Sequence, residues 1–349
     1  MKALYKSMAG PGHIDLIERP EPKIDPINNV LVRVKACAIC GMDHRIFHGS
    51  YPCKPPFIMG HEFIGKIEDI MEDCYGLKIG DRVTVRPHLY SCGRCTACST
   101  SSPQFCKDKR TVGIDRDGAM TKFIVLPASS LQRVPDSIPD KLACIIEPYS
   151  MIYSDLVPTL HMPKTHRMLI IGMGQVGIMG LVAAKSMGVD RVFMAGSSRD
   201  MENRAPIAKR LGTEEVFERG QADIAARIME LTDGNGVDVV LEASGSESGI
   251  ADGIKSLRYS GTMVSLGMTR RDKILIDWDH CVKRALSIKF HMQSDYQYMN
   301  DAIRSLAEPY ADLSDLITIE ATLSHWKEVF EYMDTHLTWK NILYISDAD

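Results

Sequence analysis

Four cysteines within fifteen residues constrain this chain more than any other feature. Cys92, Cys95 and Cys98 are separated by two residues each, and Cys106 follows eight positions later. Thiolates at this spacing can close a tetrahedral cage around one Zn²⁺ and leave no open coordination position. The pattern therefore predicts a structural zinc that braces a loop and takes no part in chemistry.

Reduced thiols, disulfides and an iron–sulfur cluster are the alternatives for this run. Neighbouring cysteines spaced by two residues lie too close for an ordinary disulfide framework. Bacterial ferredoxins also space cysteines by two residues, but their runs usually end in Cys-Pro, whereas Lys107 follows Cys106 here. A structural zinc is therefore favoured.

The length and composition favour a two-domain globular enzyme. At 349 residues the chain exceeds what a single hydrophobic core usually serves. Its 45% hydrophobic and 25% charged residues are ordinary for such an enzyme, and no apolar run is long enough to span a bilayer. A net charge of −4 gives no reason to expect a nucleic acid or a membrane as partner. We expect a cytoplasmic enzyme that acts on a small molecule.

The rhythm of the sequence changes near residue 150, which predicts two domains in one α/β protein. Residues 1–150 alternate short β-branched segments with Gly, Pro and Asp, a pattern typical of an antiparallel, partly barrelled β domain. Residues 151–287 repeat strand, turn and helix, which predicts a doubly wound parallel sheet. The segment 288–349 ends in a strand-like stretch and is assigned to the first domain. The second domain is thus expected to be an insertion.

A glycine-rich turn follows the short apolar strand at residues 168–171. In a βαβ setting, the first glycine permits a tight turn and the second lets backbone amides approach a pyrophosphate. The third lets the helix pack close to the sheet, and the helix N-terminus favours phosphate charge. A turn that serves packing alone is the alternative, but the setting favours dinucleotide binding. The predicted cofactor loop comprises Gly172, Gly174, Gln175, Val176 and Gly177.

The end of the next strand bears on the choice between NAD and NADP. An NAD site needs an acidic side chain about 20 positions beyond the glycine motif, where it binds the ribose 2′-OH. This strand end reads Gly-Ser-Ser-Arg, and the next carboxylate is Asp200. Arg199 and Arg204 can pair with a 2′-phosphate, or they can be solvated loop charges. NADP is expected, with NAD possible through Asp200. The predicted contacts are Gly196, Ser197, Ser198, Arg199 and Arg204.

Residue types that bind zinc recur along the first domain. Cysteine, histidine and a carboxylate with one exchangeable position make an open, catalytic zinc site. These residues lie far apart in sequence, so spacing alone does not prove the site. Taken singly, a buried free thiol or a core histidine is the simpler interpretation. The candidates are Cys40, Asp43, His61, Glu62 and Glu147.

Together these motifs resemble those of a zinc-dependent medium-chain dehydrogenase of the alcohol dehydrogenase superfamily, similar to its polyol and threonine dehydrogenase branch. The resemblance covers essentially the whole chain. It is carried by Gly-His-Glu at 60–62, the cysteines at 92–106, Glu-Pro at 147–148 and the glycine loop at 172–177. It implies a GroES-like catalytic domain, a Rossmann domain, two zinc ions per chain and a homotetramer or homodimer.

The resemblance also implies roles for the scattered residues. Cys40 and His61 would bind the catalytic zinc, with Glu62 as a third ligand or a carboxylate close behind the ligands. Glu147 would be a ligand that exchanges with water, and Asp43 would orient the imidazole of His61. The implied reaction is reversible hydride transfer from a secondary alcohol to NADP⁺, which gives a ketone.

One position departs from the family pattern. The second residue after Cys40 usually carries a hydroxyl that passes the substrate proton toward solvent, but Met42 stands there and neither donates nor accepts usefully. We therefore hypothesise that His44, Glu62 or a water on the zinc carries the proton. His44 has a suitable unperturbed pKa, although it could instead contact a cofactor phosphate or be a surface residue.

Several substrates and two other functional classes remain compatible with the sequence. A sugar alcohol, a polyol phosphate, a simple secondary alcohol, or L-threonine with NAD would suit the same motifs. His88 and Arg86 are candidates to face the substrate, or they are plain loop residues. A zinc-independent quinone or enone reductase is disfavoured, since such reductases lack a catalytic metal. A nucleotide-bound regulatory protein without turnover gains weight only from Met42.

Overall fold

The computed structural model divides the chain into two compact units. The first unit comprises residues 1–148 and 313–349, and the second comprises residues 149–312. The expected return to the first domain at residue 288 is corrected to 313, because residues 287–290 form a strand of the second unit's sheet. The structure describes residues 1–71, 75–160, 167–292, 296–336 and 338–346.

The first segment supplies most strands of the first unit. Its elements are β1 (Lys2–Lys6), β2 (Ile14–Glu18), β3 (Val30–Ile39), α1 (Gly41–Phe47), β4 (Phe57–Ile58), β5 (Glu62–Ile70), β6 (Arg82–Val85), β7 (His88–Tyr90), α2 (Thr96–Ser99), β8 (Arg110–Thr111), β9 (Phe123–Leu126), β10 (Leu131–Arg133) and α3 (Asp140–Ala143), with 3₁₀ turns at Pro103–Phe105 and Ala128–Ser130.

The rest of the chain alternates strands and helices before it returns to the first unit. These elements are α4 (Ile146–Leu160), β11 (Arg167–Ile171), α5 (Gln175–Ser186), β12 (Arg191–Gly196), α6 (Ser198–Asn203), α7 (Ala205–Arg210), β13 (Glu215–Glu218), α8 (Ile224–Leu231), β14 (Val237–Glu242), α9 (Glu247–Ser256), β15 (Leu257–Ser265), α10 (Trp278–Lys283), β16 (Ser287–Phe290), α11 (Met299–Leu306), β17 (Ile317–Thr322), α12 (Trp326–Thr335) and β18 (Lys340–Tyr344), with 3₁₀ turns at Pro309–Ala311, Ser314–Leu316 and Leu323–His325.

Strand β3 lies at the centre of the first unit's main sheet. The strand order is β10-β6-β5-β3-β18-β17, and β9 also pairs with β3. All three neighbours of β3 run antiparallel to it. Val30, Val32 and Val34 are buried while Leu31 and Arg33 are partly exposed, the two-residue alternation expected of a strand with one face on a core. Strands β2-β1-β4 form a second sheet, and β7 and β8 form a small ribbon.

The second unit is built on one parallel sheet. Its strand order is β13-β12-β11-β14-β15-β16, and every neighbouring pair is parallel. Counted from its own first strand this is the order 3-2-1-4-5-6 of the Rossmann fold. Residues 168–171 of central strand β11 are fully buried, as expected where helices cover both faces of a parallel sheet. The predicted α/β fold with a Rossmann domain is confirmed.

Within the part of the chain that the structure describes, no helix is both long enough and apolar enough to cross a lipid bilayer.

Candidate active site and metal centres

Strand register brings three predicted zinc ligands to one end of the main sheet. Ala38 of β3 lies opposite Glu62 of β5, so Cys40, just past β3, lies at the end of β5 that His61 precedes. One ligating atom from each of Cys40, His61 and Glu62 lies within 4.8 Å of the other two. His61 and Glu62 are buried, and Cys40 is partly buried. We call these three residues the zinc-ligand group.

Gly60, which precedes His61, has to be a glycine. Its φ of +92° lies in the left-handed region, and a Cβ there would lie 2.7 Å from Cys37 Sγ and from Met120 Cγ. The chain can therefore turn into β5 at this point only without a side chain. This turn delivers His61 and then Glu62 to the sheet end.

Asp43 lies behind His61 in the first turn of α1. Its side chain is fully buried, and its Oδ2 accepts a hydrogen bond from the Cys40 backbone N–H at 2.9 Å. Its Oδ1 lies 3.9 Å from His61 Nδ1, which is longer than a hydrogen bond. Burial is the main cause that raises the pKa of Asp43 to about 6. The carboxylate thus holds the start of α1 and faces the imidazole that it was predicted to orient.

Lys340 belongs to this site and was missed by the sequence analysis. Asn341 of β18 lies opposite Ile39 of β3, which brings Lys340 to the sheet end that carries Cys40. The Lys340 Nζ donates to both carboxylate oxygens of Glu62, at 2.7 and 2.5 Å, and both side chains are 1% exposed. Burial by itself lowers the pKa of Lys340, but the charges of Glu62, Cys40 and Glu147 and the hydrogen bond to Glu62 together raise the pKa by more. The only sequence signal was a lysine that opens the last apolar strand.

Glu147 lies near the zinc-ligand group but outside it. It is in the first turn of α4 and only 4% exposed. Burial lowers the pKa of His61, but the charges of Asp43, Cys40 and Glu147 raise it by more, so the pKa of His61 is raised overall. Glu147 is therefore near enough to act on His61 electrostatically, although its oxygens are not among the atoms within 4.8 Å of one another.

The zinc-ligand group fits a zinc ion chemically. Thiolate sulfur, imidazole nitrogen and carboxylate oxygen are the donor types of open zinc sites. Among the described residues, Asp43 Oδ1 and His61 Nδ1 are buried and have no hydrogen-bond partner. A metal on the other nitrogen of His61 would fix Nδ1 as a donor toward Asp43. The absence of a hydrogen bond at Asp43 Oδ1 and at His61 Nδ1 is therefore consistent with a His61 side chain that binds a metal through its other nitrogen.

The structure does not bring His44 to the zinc-ligand group. Its Nε2 lies 2.8 Å from Asp334 Oδ1 and 3.3 Å from His48 Nε2, in a separate cluster. The hypothesis that His44 relays the substrate proton is therefore not supported by its position. Met42 is partly buried and packs against the core of the first unit.

The four cysteines of the lobe form a second compact group. Their Sγ atoms all lie within 4.8 Å of one another. The Sγ–Sγ distances are 3.5 Å from Cys95 to Cys98 and 3.9 Å from Cys92 to Cys98. A tetrahedron with Zn–S bonds of about 2.3 Å has edges of about 3.8 Å. Backbone N–H groups of Arg94 and Cys95 lower the pKa of Cys92 to about 6, which favours its thiolate. With Cys106 as the fourth member, the group fits a closed zinc site.

The predicted cofactor loop has the expected shape. Gly172 follows β11 with a φ of +103°, and Gly174 precedes the first residue of α5. A Cβ on Gly177 would overlap the carbonyl oxygen of Gly172, so only glycine lets the helix pack this closely. Gln175 and Val176 open α5 and are partly exposed. The loop and the start of this helix suit a dinucleotide pyrophosphate.

Asp200 is committed to contacts within the protein. It is 8% exposed, and its Oδ2 accepts from the backbone N–H and from the hydroxyl of Ser197, both at 2.8 Å. Its Oδ1 accepts from the Arg204 guanidinium at 2.8 Å. Arg204 is thus held within the loop by Asp200, whereas Ser197, Ser198 and Arg199 are exposed.

Arg219 is a second cation at this edge that the sequence analysis missed. It follows β13, and its backbone N–H donates to the Gly196 carbonyl oxygen at 2.8 Å. Its guanidinium donates to the hydroxyls of Ser246 and Ser248, at 2.6 and 3.1 Å. Dinucleotides bind at the carboxyl ends of parallel strands, where these residues lie. Sequence spacing does not reveal this, because it depends on the pairing of β12 with β13.

Comparison with known proteins agrees with this arrangement. The family of alcohol dehydrogenase GroES-like domains matches residues 26–136, and the zinc-binding dehydrogenase family matches residues 176–308. A sorbitol dehydrogenase of Halalkalibacterium halodurans is 30% identical over 330 residues, which is 95% of each chain. An L-threonine 3-dehydrogenase of Pyrococcus horikoshii is 32% identical over 286 residues, which is 81% of this chain and 80% of that protein.

The solved structures extend the comparison to the fold. A protein of Sinorhizobium meliloti 1021, described as a zinc-binding dehydrogenase bound to NADP, superposes with a TM-score of 0.86. It is 23% identical, and the match covers 98% of each chain. Together with the more similar relatives, this establishes that the chain belongs to the zinc-dependent medium-chain dehydrogenases of the alcohol dehydrogenase family, in the branch that holds polyol and threonine dehydrogenases.

Proposed function

We propose that this oxidoreductase reversibly oxidises a secondary alcohol of the polyol or sugar-alcohol class to a ketone, with NADP⁺ as hydride acceptor. The observation that carries the proposal is the convergence of Cys40, His61 and Glu62 at one end of the main sheet. A catalytic metal needs such a group, and a zinc-independent reductase does not. We further propose two zinc ions per chain, one in the zinc-ligand group and one in the cysteine lobe.

In this proposal the zinc-ligand group holds the catalytic zinc, and Glu147 would be a further ligand that exchanges with water. When bound, zinc supplies a Lewis acid that favours the alkoxide form of the alcohol. Asp43 faces His61 Nδ1 and would favour the tautomer that presents a lone pair to the metal. The Lys340 ammonium donates to both oxygens of the buried Glu62 carboxylate and so compensates its charge.

The route of the substrate proton has to differ from the family's usual one. Met42 cannot carry a proton, and His44 is engaged with Asp334. Of the two side chains considered as proton carriers, His44 and Glu62, it is Glu62 that belongs to the zinc-ligand group. We propose that the proton leaves through Glu62 or directly to water.

Two observations support NADP as the preferred cofactor. Both carboxylate oxygens of Asp200 are occupied by Ser197 and Arg204, so Asp200 is a poor partner for a ribose 2′-OH. Arg199 is exposed beside this strand end, and Arg219 adds a second guanidinium at the same edge. A 2′-phosphate would find charge-assisted donors there.

His88 supports a hydroxyl-rich substrate. Burial is the main cause that lowers the pKa of His88 to about 4, with smaller effects from the charges of Lys109 and His61. The ring is therefore neutral near pH 7 and lies close enough to His61 to feel its charge. A neutral imidazole can donate to or accept from a substrate hydroxyl. We propose that His88 contacts a second hydroxyl of the substrate.

L-Threonine with NAD is the second candidate. It is favoured by the 32% identity with the L-threonine 3-dehydrogenase of Pyrococcus horikoshii, which is above the identity with the sorbitol dehydrogenase. The hydrogen bonds that Asp200 accepts from Ser197 and Arg204 argue against the use of NAD by this chain.

We also propose that the chain assembles as a homodimer or homotetramer through the second unit. Strand β16 ends the parallel sheet, and large apolar side chains are exposed on and near it. Exposed apolar side chains gathered in this way are typical of association surfaces. They are Leu275 (84% exposed), Trp278 (68%), Val282 (63%), Phe290 (81%) and Met292 (71%).

The experiment that tests the function is a cofactor-reduction assay with NADP⁺ and NAD⁺ in parallel. The panel holds sugar alcohols, their phosphates, L-threonine, 2,3-butanediol and simple secondary alcohols, and reduced nicotinamide is followed by its near-ultraviolet absorbance. We expect turnover with a polyol and faster turnover with NADP⁺. Turnover with L-threonine and NAD⁺ would establish the second candidate instead. Silence of the zinc-loaded protein across the panel would contradict both.

A further inference from the structure

We propose that His44, His48 and Asp334 form a third metal site, which binds a divalent ion of the Zn²⁺, Co²⁺ or Ni²⁺ class and ties α1 to α12. The structure groups these three side chains as close enough to hold one ion. The proposal is independent of the proposed function, since none of the three residues belongs to the zinc-ligand group or to the cysteine lobe.

The two histidines share one face of a short helix. His44 lies in α1 and His48 directly follows its last residue, four positions later. Residues four apart lie one above the other on a helix, and paired histidines at this spacing are a common zinc-binding arrangement. Asp334, in the last turn of α12, faces both rings.

The distances within this cluster are close to those of three ligands around one ion. The Nε2 atoms of His44 and His48 are 3.3 Å apart, and they lie 2.8 and 2.7 Å from the same Oδ1 of Asp334. With bonds of about 2.0–2.1 Å to a metal, two ligand atoms are about 3.3 Å apart at a tetrahedral angle and about 2.9 Å apart at a right angle. A divalent ion can therefore bind all three atoms with little rearrangement. Imidazole with carboxylate suits Zn²⁺, Co²⁺ and Ni²⁺.

Hydrogen bonds alone leave one of the three contacts in this cluster unfavourable. If both Nε2 atoms carry hydrogen, both can donate to Asp334, but the two N–H groups then oppose each other at 3.3 Å. If one Nε2 lacks hydrogen, it accepts from the other ring, but its lone pair then faces the Asp334 carboxylate. At most two of the three contacts are attractive in either case. A cation that binds all three ligand atoms through their lone pairs makes each of the three interactions attractive.

The cluster is held in place by packing that does not involve its polar atoms. Phe47 of α1 packs against Phe330 and Trp326 of α12, with ring centroids 5.3 and 6.3 Å apart. Both aromatic residues of α12 are buried in the core of the first unit. The three ligating atoms are therefore brought together before any metal binds. Such preorganisation lowers the entropy cost of binding.

The position of Asp334 in α12 also favours a cation beside its carboxylate. A carboxylate in the last turn of a helix lies against the negative end of the helix dipole, which is unfavourable unless a positive charge is near. The three side chains are 23%, 44% and 36% exposed, for His44, His48 and Asp334, so an ion can reach them from solvent. A metal there would clamp the helix that follows Cys40 onto the C-terminal segment.

The test is a metal titration of the full-length protein that holds two zinc ions per chain, one in the zinc-ligand group and one in the cysteine lobe. The probe is Co²⁺, added to protein whose cysteine sites already hold zinc, and binding is followed by visible absorption. We expect one further equivalent to bind, with d–d bands of a nitrogen and oxygen site and without the thiolate charge-transfer band of a cysteine site. Calorimetry with Zn²⁺ should give the same stoichiometry.

Three variants assign the binding to these residues. His48→Ala, Asp334→Ala and Asp334→Asn should each weaken binding by at least about 100-fold, because even changes outside the ligand shell cost 10- to 100-fold in affinity. Asp334→Asn is the informative one, since its amide oxygen still accepts a hydrogen bond from one histidine but carries no charge. His325→Ala is the matched control, because it removes an exposed imidazole from the other end of α12.

The outcomes separate the metal site from a hydrogen-bonded cluster. Added Zn²⁺ should raise the Tm of the wild-type protein and of His325→Ala, and should not raise the Tm of Asp334→Asn. If Asp334→Asn binds Co²⁺ as the wild-type protein does, or if the wild-type protein binds no third equivalent, the proposal is overturned. Equal Tm values of all variants in chelator would show that loss of binding is not loss of folding.

Discussion

Lys340 and Glu62 form a buried ion pair at the proposed metal site. The pair is 1% exposed on both sides and joins the last strand of the chain to the start of β5. A buried pair adds little net stability over apolar residues, but the loss of one partner leaves an uncompensated buried charge. The two members of the pair therefore depend on each other, because each compensates the buried charge of the other.

Lys340→Met should destabilise the protein by about 3–5 kcal/mol, because the Glu62 carboxylate would remain buried and unpaired. Urea unfolding of the variant and the wild-type protein measures the difference. Lys340→Arg, which keeps the charge, should lose less. The double variant Lys340→Met with Glu62→Gln should regain part of the loss. If Lys340→Met unfolds with a free energy within about 1 kcal/mol of the wild-type value, as expected for an exposed ion pair, the proposed dependence of Glu62 on Lys340 is refuted.

Arg199 carries the residue-scale prediction for the cofactor. Arg199→Ala should raise the KM for NADP⁺ by about 10- to 100-fold, since hydrogen bonds between charged groups contribute about 1.5–3 kcal/mol. The KM for NAD⁺ should stay nearly unchanged, because NAD⁺ has no 2′-phosphate. Lys209→Ala, an exposed charge on the following helix, is the control and should change neither. Equal effects on both cofactors would contradict the role given to Arg199.

At the scale of elements, the sequence predicted the features that depend on residues close together in the chain. The glycine loop between β11 and α5 and the spacing of the cysteine lobe are set by neighbours in sequence, and both were predicted. Lys340 was not, because its place depends on the register of β18 against β3, which are some three hundred residues apart. The boundary at 288 failed for a related reason. Strand β16 reads Ser-Ile-Lys-Phe and is mostly exposed, so it lacks the apolar run of a buried parallel strand.

Loss of the zinc from the cysteine lobe should change the structure of that lobe and little else. Cys98→Ser should remove one zinc per chain and expose the segment 92–106 to proteases, because a structural zinc supplies folding energy to its loop. Metal analysis and limited proteolysis followed by mass spectrometry measure both effects. The zinc-ligand group should keep its metal. Cys281→Ser, a thiol outside both groups, is the control. Loss of no zinc in Cys98→Ser would mean that the lobe is not a metal site.

At the scale of the whole molecule, the second unit exposes several large apolar side chains on and near its edge strand β16. Several large apolar residues near β16 are more than half exposed, among them Trp278 and Phe290. An end strand with apolar neighbours is a ready template for pairing with a second copy. Assembly through this surface would cover both features at once.

Phe290→Glu combined with Trp278→Glu should shift the protein toward a smaller assembly, because two charges would have to be buried at the proposed interface. Light scattering coupled to gel filtration measures the mass at several concentrations. Ile27→Glu is the control, since it places a charge on an equally exposed apolar residue of the first unit. A wild-type protein that is monomeric at all concentrations would contradict the proposed interface.

The most direct test of the account is the rate of NADPH formation from a polyol by the wild-type protein and by Cys40→Ala, with the zinc content of both measured. The account predicts that Cys40→Ala loses one zinc and at least about a thousandfold in kcat/KM, since a metal Lewis acid contributes several kcal/mol and each 1.4 kcal/mol is tenfold. Equal rates in the two proteins would contradict it, because the chemistry would then proceed without the zinc that Cys40, His61 and Glu62 are proposed to hold.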